Sequence, residues 1–206
     1  MKKLLLVLCC LALSGVAQAD LLVNGDFSNP GSASAGQFGS VTINNWTTYG
    51  TDGWYANDVG SQMSAKIWAP GTGIYQDWTA TAGSSYDMTV QGYQTTAEQL
   101  GGDRVGFLTV EWFESGGAKI GSSLVVDTMS AADSDNAWVT LSGTATAPAN
   151  TAYGRTVLGV SDTTSGSGAL FFDNATVNAA IPEPAALSMI GMGFFALMRF
   201  RKKMRA

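Results

Sequence analysis

The chain has 206 residues, a formal net charge of −5, two cysteines and no histidine. The absence of histidine excludes Ser-His-Asp and Cys-His nucleophile systems and the common zinc sites. The length suits one domain with a sizeable core, flanked by short segments of other character.

The chain begins as a signal peptide. Lys2 and Lys3 form a positive start, Leu4 to Leu13 an apolar run, and Ala17-Gln18-Ala19 a small-x-small cleavage site, so residues 1–19 are removed and Asp20 leads the mature protein. Cys9 and Cys10 leave with that segment. Neither stands at the cleavage site, where a lipid-accepting cysteine would have to sit. An exported domain without cysteine must hold its fold by its core alone.

Residues 20–180 read as that domain. They carry fifteen acidic residues against four basic ones, Lys66, Arg104, Lys119 and Arg155. Such a surface repels nucleic acid and anionic lipid and leaves neutral polysaccharide, cations and cationic partners as ligands; it also simply keeps an exported protein soluble. The pattern is one of alternation broken by Gly and Asn/Asp clusters. It predicts strands over Leu21 to Phe27, Val41 to Trp46, Ala65 to Ala69, Gly73 to Thr79, Tyr86 to Thr95, Arg104 to Glu114, Ala118 to Val126, Ala137 to Thr146, Tyr153 to Ser161 and Ala169 to Val177. In Tyr86 to Thr95, Tyr86, Met88 and Val90 share one face, and polar residues the other. In Arg104 to Glu114 both faces are apolar, with Val105, Phe107 and Phe113 opposite Leu108, Val110 and Trp112, which predicts a central strand covered on both sides. Ser115-Gly116-Gly117 marks a hairpin, and Ala147-Pro148-Ala149-Asn150 ends one strand before the next. Many short antiparallel strands imply an all-β sandwich, immunoglobulin-like or jelly roll.

Chemistry on this domain is limited. A glycosidase needs two carboxylates about 5 to 9.5 Å apart around one sugar. Glu111 and Glu114 lie near each other, but an odd separation on a strand points them to opposite faces. Asp133, Asp135, Asp77 and Asp87 read as solvated acids. A binding module needs only aromatic faces with nearby polar groups. Trp54 and Tyr55, in a polar loop, and Tyr93, on the wet face of its strand, are the expected ligand contacts, with Gln76, Asn57, Gln91 and Gln94 as polar partners.

The chain ends in IPEPAALSMIGMGFFALMRFRKKMRA, residues 181–206. Pro182 and Pro184 allow a helix only after them. The apolar run Ala185 to Met198 has 14 residues, and spans roughly 21 Å of a hydrocarbon core about 30 Å thick. Snorkelling of Arg199 and local thinning close the gap. Runs this short are usually buried core helices, but this one is followed at once by Arg199, Arg201, Lys202, Lys203 and Arg205. That cluster stays on the cytoplasmic side and places the domain across the membrane.

Two resemblances follow from these residues. Pro182-Glu183-Pro184, the Gly-containing apolar run and the terminal cations around Arg199 and Arg201 resemble a PEP-CTERM sorting signal. That implies export, membrane anchoring through a C-terminal helix, processing near Pro-Glu-Pro by an exosortase-type enzyme, and delivery to the cell surface or extracellular matrix. Asn24-Gly25-Asp26-Phe27, Gly73-Ile74-Tyr75-Gln76-Asp77, Gly83-Ser84-Ser85-Tyr86, Glu111-Trp112-Phe113-Glu114 and Leu170-Phe171-Phe172-Asp173-Asn174 together resemble carbohydrate-binding modules of the galactose-binding-like jelly-roll type. That resemblance implies non-catalytic polysaccharide binding, and one structural calcium held by Asp26 and Asp173. Ser28 stands where the pattern usually has an acid, so the competing reading is a hydrogen-bonded Asp173 without metal. A matrix or adhesion protein of the same fold without a sugar pocket is the alternative function.

Overall fold

The computed structural model describes residues 19–29, 43–50, 54–59 and 62–180. Residues 1–18 of the expected signal peptide and the Pro-Glu-Pro segment, including Pro182, Glu183, Pro184, Arg199 and Arg201, lie outside the described residues. Among the described residues no helix is long and apolar enough to cross a membrane.

Among the described residues, alternating sequence becomes twelve strands: β1 (Thr47–Tyr49), β2 (Trp54–Val59), β3 (Gln62–Ile67), β4 (Thr72–Thr79), β5 (Ser85–Tyr93), β6 (Gly101–Gly102), β7 (Val105–Phe113), β8 (Lys119–Met129), β9 (Trp138–Thr146), β10 (Tyr153–Ser161), β11 (Gly166–Ser167) and β12 (Leu170–Ala179). They form two five-stranded antiparallel sheets, in the orders β1-β4-β10-β7-β8 and β2-β3-β12-β5-β9, with β6 and β11 pairing separately. Ile74, Leu108, Val110, Leu158 and Val160 of the first sheet meet Ile67, Met88, Val90, Leu141, Phe172 and Val177 of the second in one buried core. Each such side chain contributes about 1.5–3 kcal/mol on burial. Trp78, Tyr86 and Trp112 close one end of the core, with ring centroids 4.8 to 5.9 Å apart. Gly117, with φ of 83°, makes the β7–β8 hairpin, closed by Glu114 N–H donating to Ala118 O at 2.9 Å.

Three expectations are corrected. Residues 21–27 form bends and a turn rather than a strand, because Asn24 and Phe27 take positive φ and break the extended run. The segment is still latched to β12: Leu21 N–H donates to Val177 O at 2.8 Å and Ala175 N–H to Gly25 O at 2.9 Å. A Cβ on Gly25 would lie 2.0 Å from Ala175 O, so only glycine fits there. Within Val41 to Trp46, the described residues 43–46 form a turn, with Asn45 at positive φ. Lastly, β7 is not central. It lies next to the edge strand β8, β10 holds the centre of the sheet, and among the described residues no layer covers the outer face of β7.

Candidate functional site

The outer face of the first sheet is concave. A groove of about 460 Å³ is lined by Tyr49, Tyr75, Val105, Phe107, Thr109, Glu111, Ser123, Val125, Thr128, Arg155, Val157 and Ser161. Register explains this set. Gly73 of β4 pairs with Gly159 of β10, which pairs with Phe107 of β7, so two bare positions lie side by side across the sheet. Tyr49 of β1 pairs with Gly73, and its ring lies over both glycines: a Cβ on either would be 2.6 Å from Tyr49 Oη. One row along, Tyr75 pairs with Val157 and Val157 with Thr109; the next row is Asp77, Arg155 and Glu111. From Arg155 to Ser161 the groove runs six residues along β10, roughly 20 Å.

All the charge in the lining sits at one end. Arg155 donates from Nε to Asp77 Oδ1 at 2.6 Å and from Nη2 to Asp77 Oδ2 at 3.0 Å. Its guanidinium lies 3.9 Å from the Tyr75 ring centroid and 4.7 Å from that of Phe113, which stacks in turn on Tyr153 at 4.8 Å. The Asp77 hydrogen bonds hold the Arg155 pKa above its ordinary value despite partial burial. Opposite, the register between Val110 and Trp112 is broken by extra residues on β8, where Gly121 takes φ of 67°. This bulge folds β8 back so that Lys119 Nζ and Ser123 Oγ both donate to Glu111 Oε1, at 2.5 and 2.7 Å. Burial disfavours the Glu111 charge, but those two hydrogen bonds and the charges of Lys119 and Arg155 outweigh it and hold its pKa below the ordinary value. Tyr49 is pushed up to about 12, first by burial and then by the charge of Glu111, so it stays a hydroxyl donor.

The aromatic residues expected from sequence lie on the other sheet. Trp54 and Tyr55 open strand β2 instead of sitting in a loop, and Tyr55 is in register with Lys66. Tyr93 ends β5 on its half-wet face. Its ring is 5.1 Å from that of Trp138 and 6.0 Å from that of Phe171. Phe171 is 2% exposed beneath Lys66, which is ion-paired with Glu98 at 2.6 Å. Of the expected polar partners, Gln76 is structural: it accepts from Val23 N–H and donates to the carbonyls of Val23 and Asn45. Gln94 likewise ties down Leu100, Ser130 and Asp133. Of the groove residues that sequence reasoning did not assign to a site, Val105 and Phe107 carried one signal, apolar side chains on the outward face of β7, whereas Arg155 on β10 carried none.

Asp26 and Asp173 are brought near each other. Asp173 is 2% exposed. Burial pushes its pKa up to about 6, the Asn174 N–H pulls it down, and the charge of Asp26 adds to the rise. Asp26 is exposed and accepts from Ser28 N–H and Oγ. Two carboxylates that repel each other, one of them buried, fit a hard cation between them in charge and donor type. The Asn24 and Gly25 carbonyls nearby already accept from Phe27, Trp46 and Ala175.

Comparison with known proteins bears on both parts of the chain. Residues 180–203 match the PEP-CTERM protein-sorting motif. No curated protein matches the chain. Among solved structures, the CBM22-2 xylan-binding domain of Paenibacillus barcinonensis Xyn10C matches with TM-score 0.52 and 13% identity, over 68% of this chain and 94% of that one. A Stig cyclase, Fisc from Fischerella sp. TAU, solved with an indole compound, matches with TM-score 0.55 and 14% identity over 81% and 100%. The enzymatically active domain of the bacteriophage CBA120 tailspike protein 4 matches with TM-score 0.54 and 14% identity. The match covers 78% of this chain but only 21% of the tailspike chain. At these identities the likeness establishes the fold. The chain therefore joins a jelly-roll domain of the kind found in CBM22 modules to a PEP-CTERM sorting motif at residues 180–203.

Proposed function

We propose that this is an exported surface protein that binds neutral polysaccharide, without catalysis, in the groove of the first sheet. The observation that carries this reading is the Arg155–Glu111 pair. The two residues are in register across β10 and β7. Arg155 uses Nε and Nη2 on Asp77, and Glu111 uses Oε1 on Lys119 and Ser123. Arg155 Nη1 and Glu111 Oε2 thus remain as one donor and one acceptor on residues in register across neighbouring strands. Adjacent sugar hydroxyls satisfy both, one accepting from Arg155 and its neighbour donating to Glu111, while the C–H face of the ring rests on Val157 and Phe107. Because each charge already has a counter-charge, an anionic sugar gains little from Arg155 and is repelled by Glu111. Glu111 held below its ordinary pKa is the reverse of what a glycosidase acid requires, which supports binding over hydrolysis.

The CBM22 relative is named for xylan binding, which supports the sugar class without fixing the sugar. The sorting motif supports export, anchoring through residues 185–198, processing near Pro182 to Pro184 by an exosortase-type enzyme, and release to the cell surface or matrix. A calcium ion between Asp26 and Asp173 would tie the N-terminal segment to β12, and its contribution is to stability.

Affinity electrophoresis through gels containing soluble neutral polysaccharides tests the site. Retardation that falls at least about tenfold in affinity for Glu111→Gln and for Arg155→Ala, and survives Tyr93→Ala and the double variant Trp54→Ala/Tyr55→Ala, supports the groove. The opposite pattern moves the site to the second sheet. No retardation by any glycan leaves the matrix or adhesion role without a sugar pocket.

A further inference from the structure

The groove is two-sided in a way that plain sugar recognition does not use. Its charged end holds Arg155, Glu111 and Ser123, whereas the other end is lined mainly by Val105, Phe107, Val125 and Val157, with the hydroxyl residues Thr128 and Ser161 in register with Phe107 and Val105, and by Tyr49 lying over the Gly73–Gly159 pair. Val125 is 56% exposed, so this apolar wall faces outward rather than belonging to the core. Tyr49 Oη and Phe107 Cζ lie against the same glycine: a Cβ on Gly159 would be 2.6 Å from the first and 2.7 Å from the second. No hydrogen-bond partner for Tyr49 Oη is found among the described residues. An underivatised pyranose carries hydroxyls around its rim, and a hydroxyl pressed against Val105, Phe107 and Val157 would be stripped of water without replacement. A group with one acceptor, no donor and a small apolar end suits this place better.

We infer that the apolar end of the groove receives a short acyl ester carried by a neutral glycan, its methyl group packed against Phe107, Val105 and Val157 and its carbonyl oxygen accepting from Tyr49 Oη. The inference rests on the sugar-binding reading above and narrows its substrate to acetylated polysaccharide. The raised Tyr49 pKa supports it, since the donor keeps its proton throughout the neutral and mildly alkaline range. The glycine pair is what lets the Tyr49 ring lie across the sheet with its hydroxyl beside Phe107, because alanine at either position would collide with that hydroxyl.

The test uses the full chain in mild detergent, titrated calorimetrically with acetylated xylan and acetylated glucomannan, each before and after mild alkaline de-esterification. The expected result is binding about tenfold tighter to at least one acetylated form than to its de-esterified counterpart. Tyr49→Phe removes only the donor and is expected to erase most of that preference, bringing the acetylated polymer close to the affinity of its de-esterified counterpart for the same variant. Phe107→Ala is the second variant, expected to reduce the preference by removing the wall. Equal or tighter binding of the de-esterified polymers overturns the acyl assignment and leaves the sugar reading standing. Binding to neither form of either polymer overturns both.

Discussion

Arg155 joins the stability of the first sheet to the proposed site, and a double-mutant cycle with Asp77 separates the two roles. Its side chain is 23% exposed and that of Asp77 is 42% exposed, so their bidentate pair contributes about 0.5–1 kcal/mol. The contacts with Tyr75 and Phe113 add about 0.5–1 kcal/mol each, because the guanidinium lies between two rings. Arg155→Ala should therefore cost roughly 2 kcal/mol, and lower Tm by about 4–8 °C for a domain of this size. Asp77→Ala leaves the ring contacts in place and should cost under about 1 kcal/mol. Arg155→Lys keeps the charge but loses the fork and the planar stack, and should fall between. Urea unfolding read by tryptophan fluorescence gives the stabilities, and gel retardation the affinity. Binding should fail for Arg155→Ala and persist for Asp77→Ala, since the donor offered to sugar is the one Asp77 does not use. If Asp77→Ala costs as much as Arg155→Ala, or abolishes binding as fully, the division between the two sides of the guanidinium is wrong.

Two further outcomes concern Asp173. Its pKa is raised in the folded chain from 3.8 to about 6, so the folded state binds that proton more tightly than the unfolded state does. Its favourable contribution is complete below about pH 4 and is lost as pH rises to 6; above that, the buried charge costs at most about 3 kcal/mol. In chelator, Asp173→Asn should be more stable than the parent at pH 7 and should flatten the slope between pH 4 and 6, as read by urea midpoints across pH. Millimolar calcium should raise the parent's Tm at pH 7 by several degrees and leave Asp173→Asn unmoved; an equal shift in both would place the ion elsewhere.

The fold was largely legible in the sequence, because period-two alternation with glycine and Asn/Asp breaks leaves few alternatives. The span Tyr153 to Ser161 is reproduced residue for residue as β10, and Gly73 to Thr79 within one residue as β4. Failures came where local chemistry competes with propensity. Asn24 and Asn45 tolerate positive φ and turn apparent strands into bends, while Asn57 and Asp58 made β2 read as loop although pairing with β3 holds it extended. The groove was less legible for a more basic reason. Register is a long-range property: nothing local in Gly73 or Gly159, 86 positions apart in the chain, shows that they are neighbours. The link of Lys119 to Glu111 likewise depends on a bulge that alternation cannot forecast. The outward apolar residues of β7 were visible, and the error lay in assuming that a second layer covers them.

The described side chains on the outer faces of the two sheets differ in what they leave available, and this favours the proposed groove on the first sheet more than the number of aromatic rings does. On the second sheet, the cation Lys66 is taken by Glu98 and Phe171, and Tyr93 packs on Phe171 and Trp138, so ring faces meet each other. On the first, pairing is incomplete: Asp77 fixes one side of Arg155 and Lys119 fixes one oxygen of Glu111, while a donor and an acceptor remain on these two residues in register across β10 and β7. A binding group held rigid by half of its hydrogen-bonding capacity loses little entropy when a ligand engages the other half. Preorganisation of this kind needs counter-charges placed in advance, and here they come from strands on either side, β4 for Arg155 and β8 for Glu111. The β8 bulge is thus as much a part of the site as the residues that would touch sugar, and deleting Gly121 should release Glu111 without altering any contact residue.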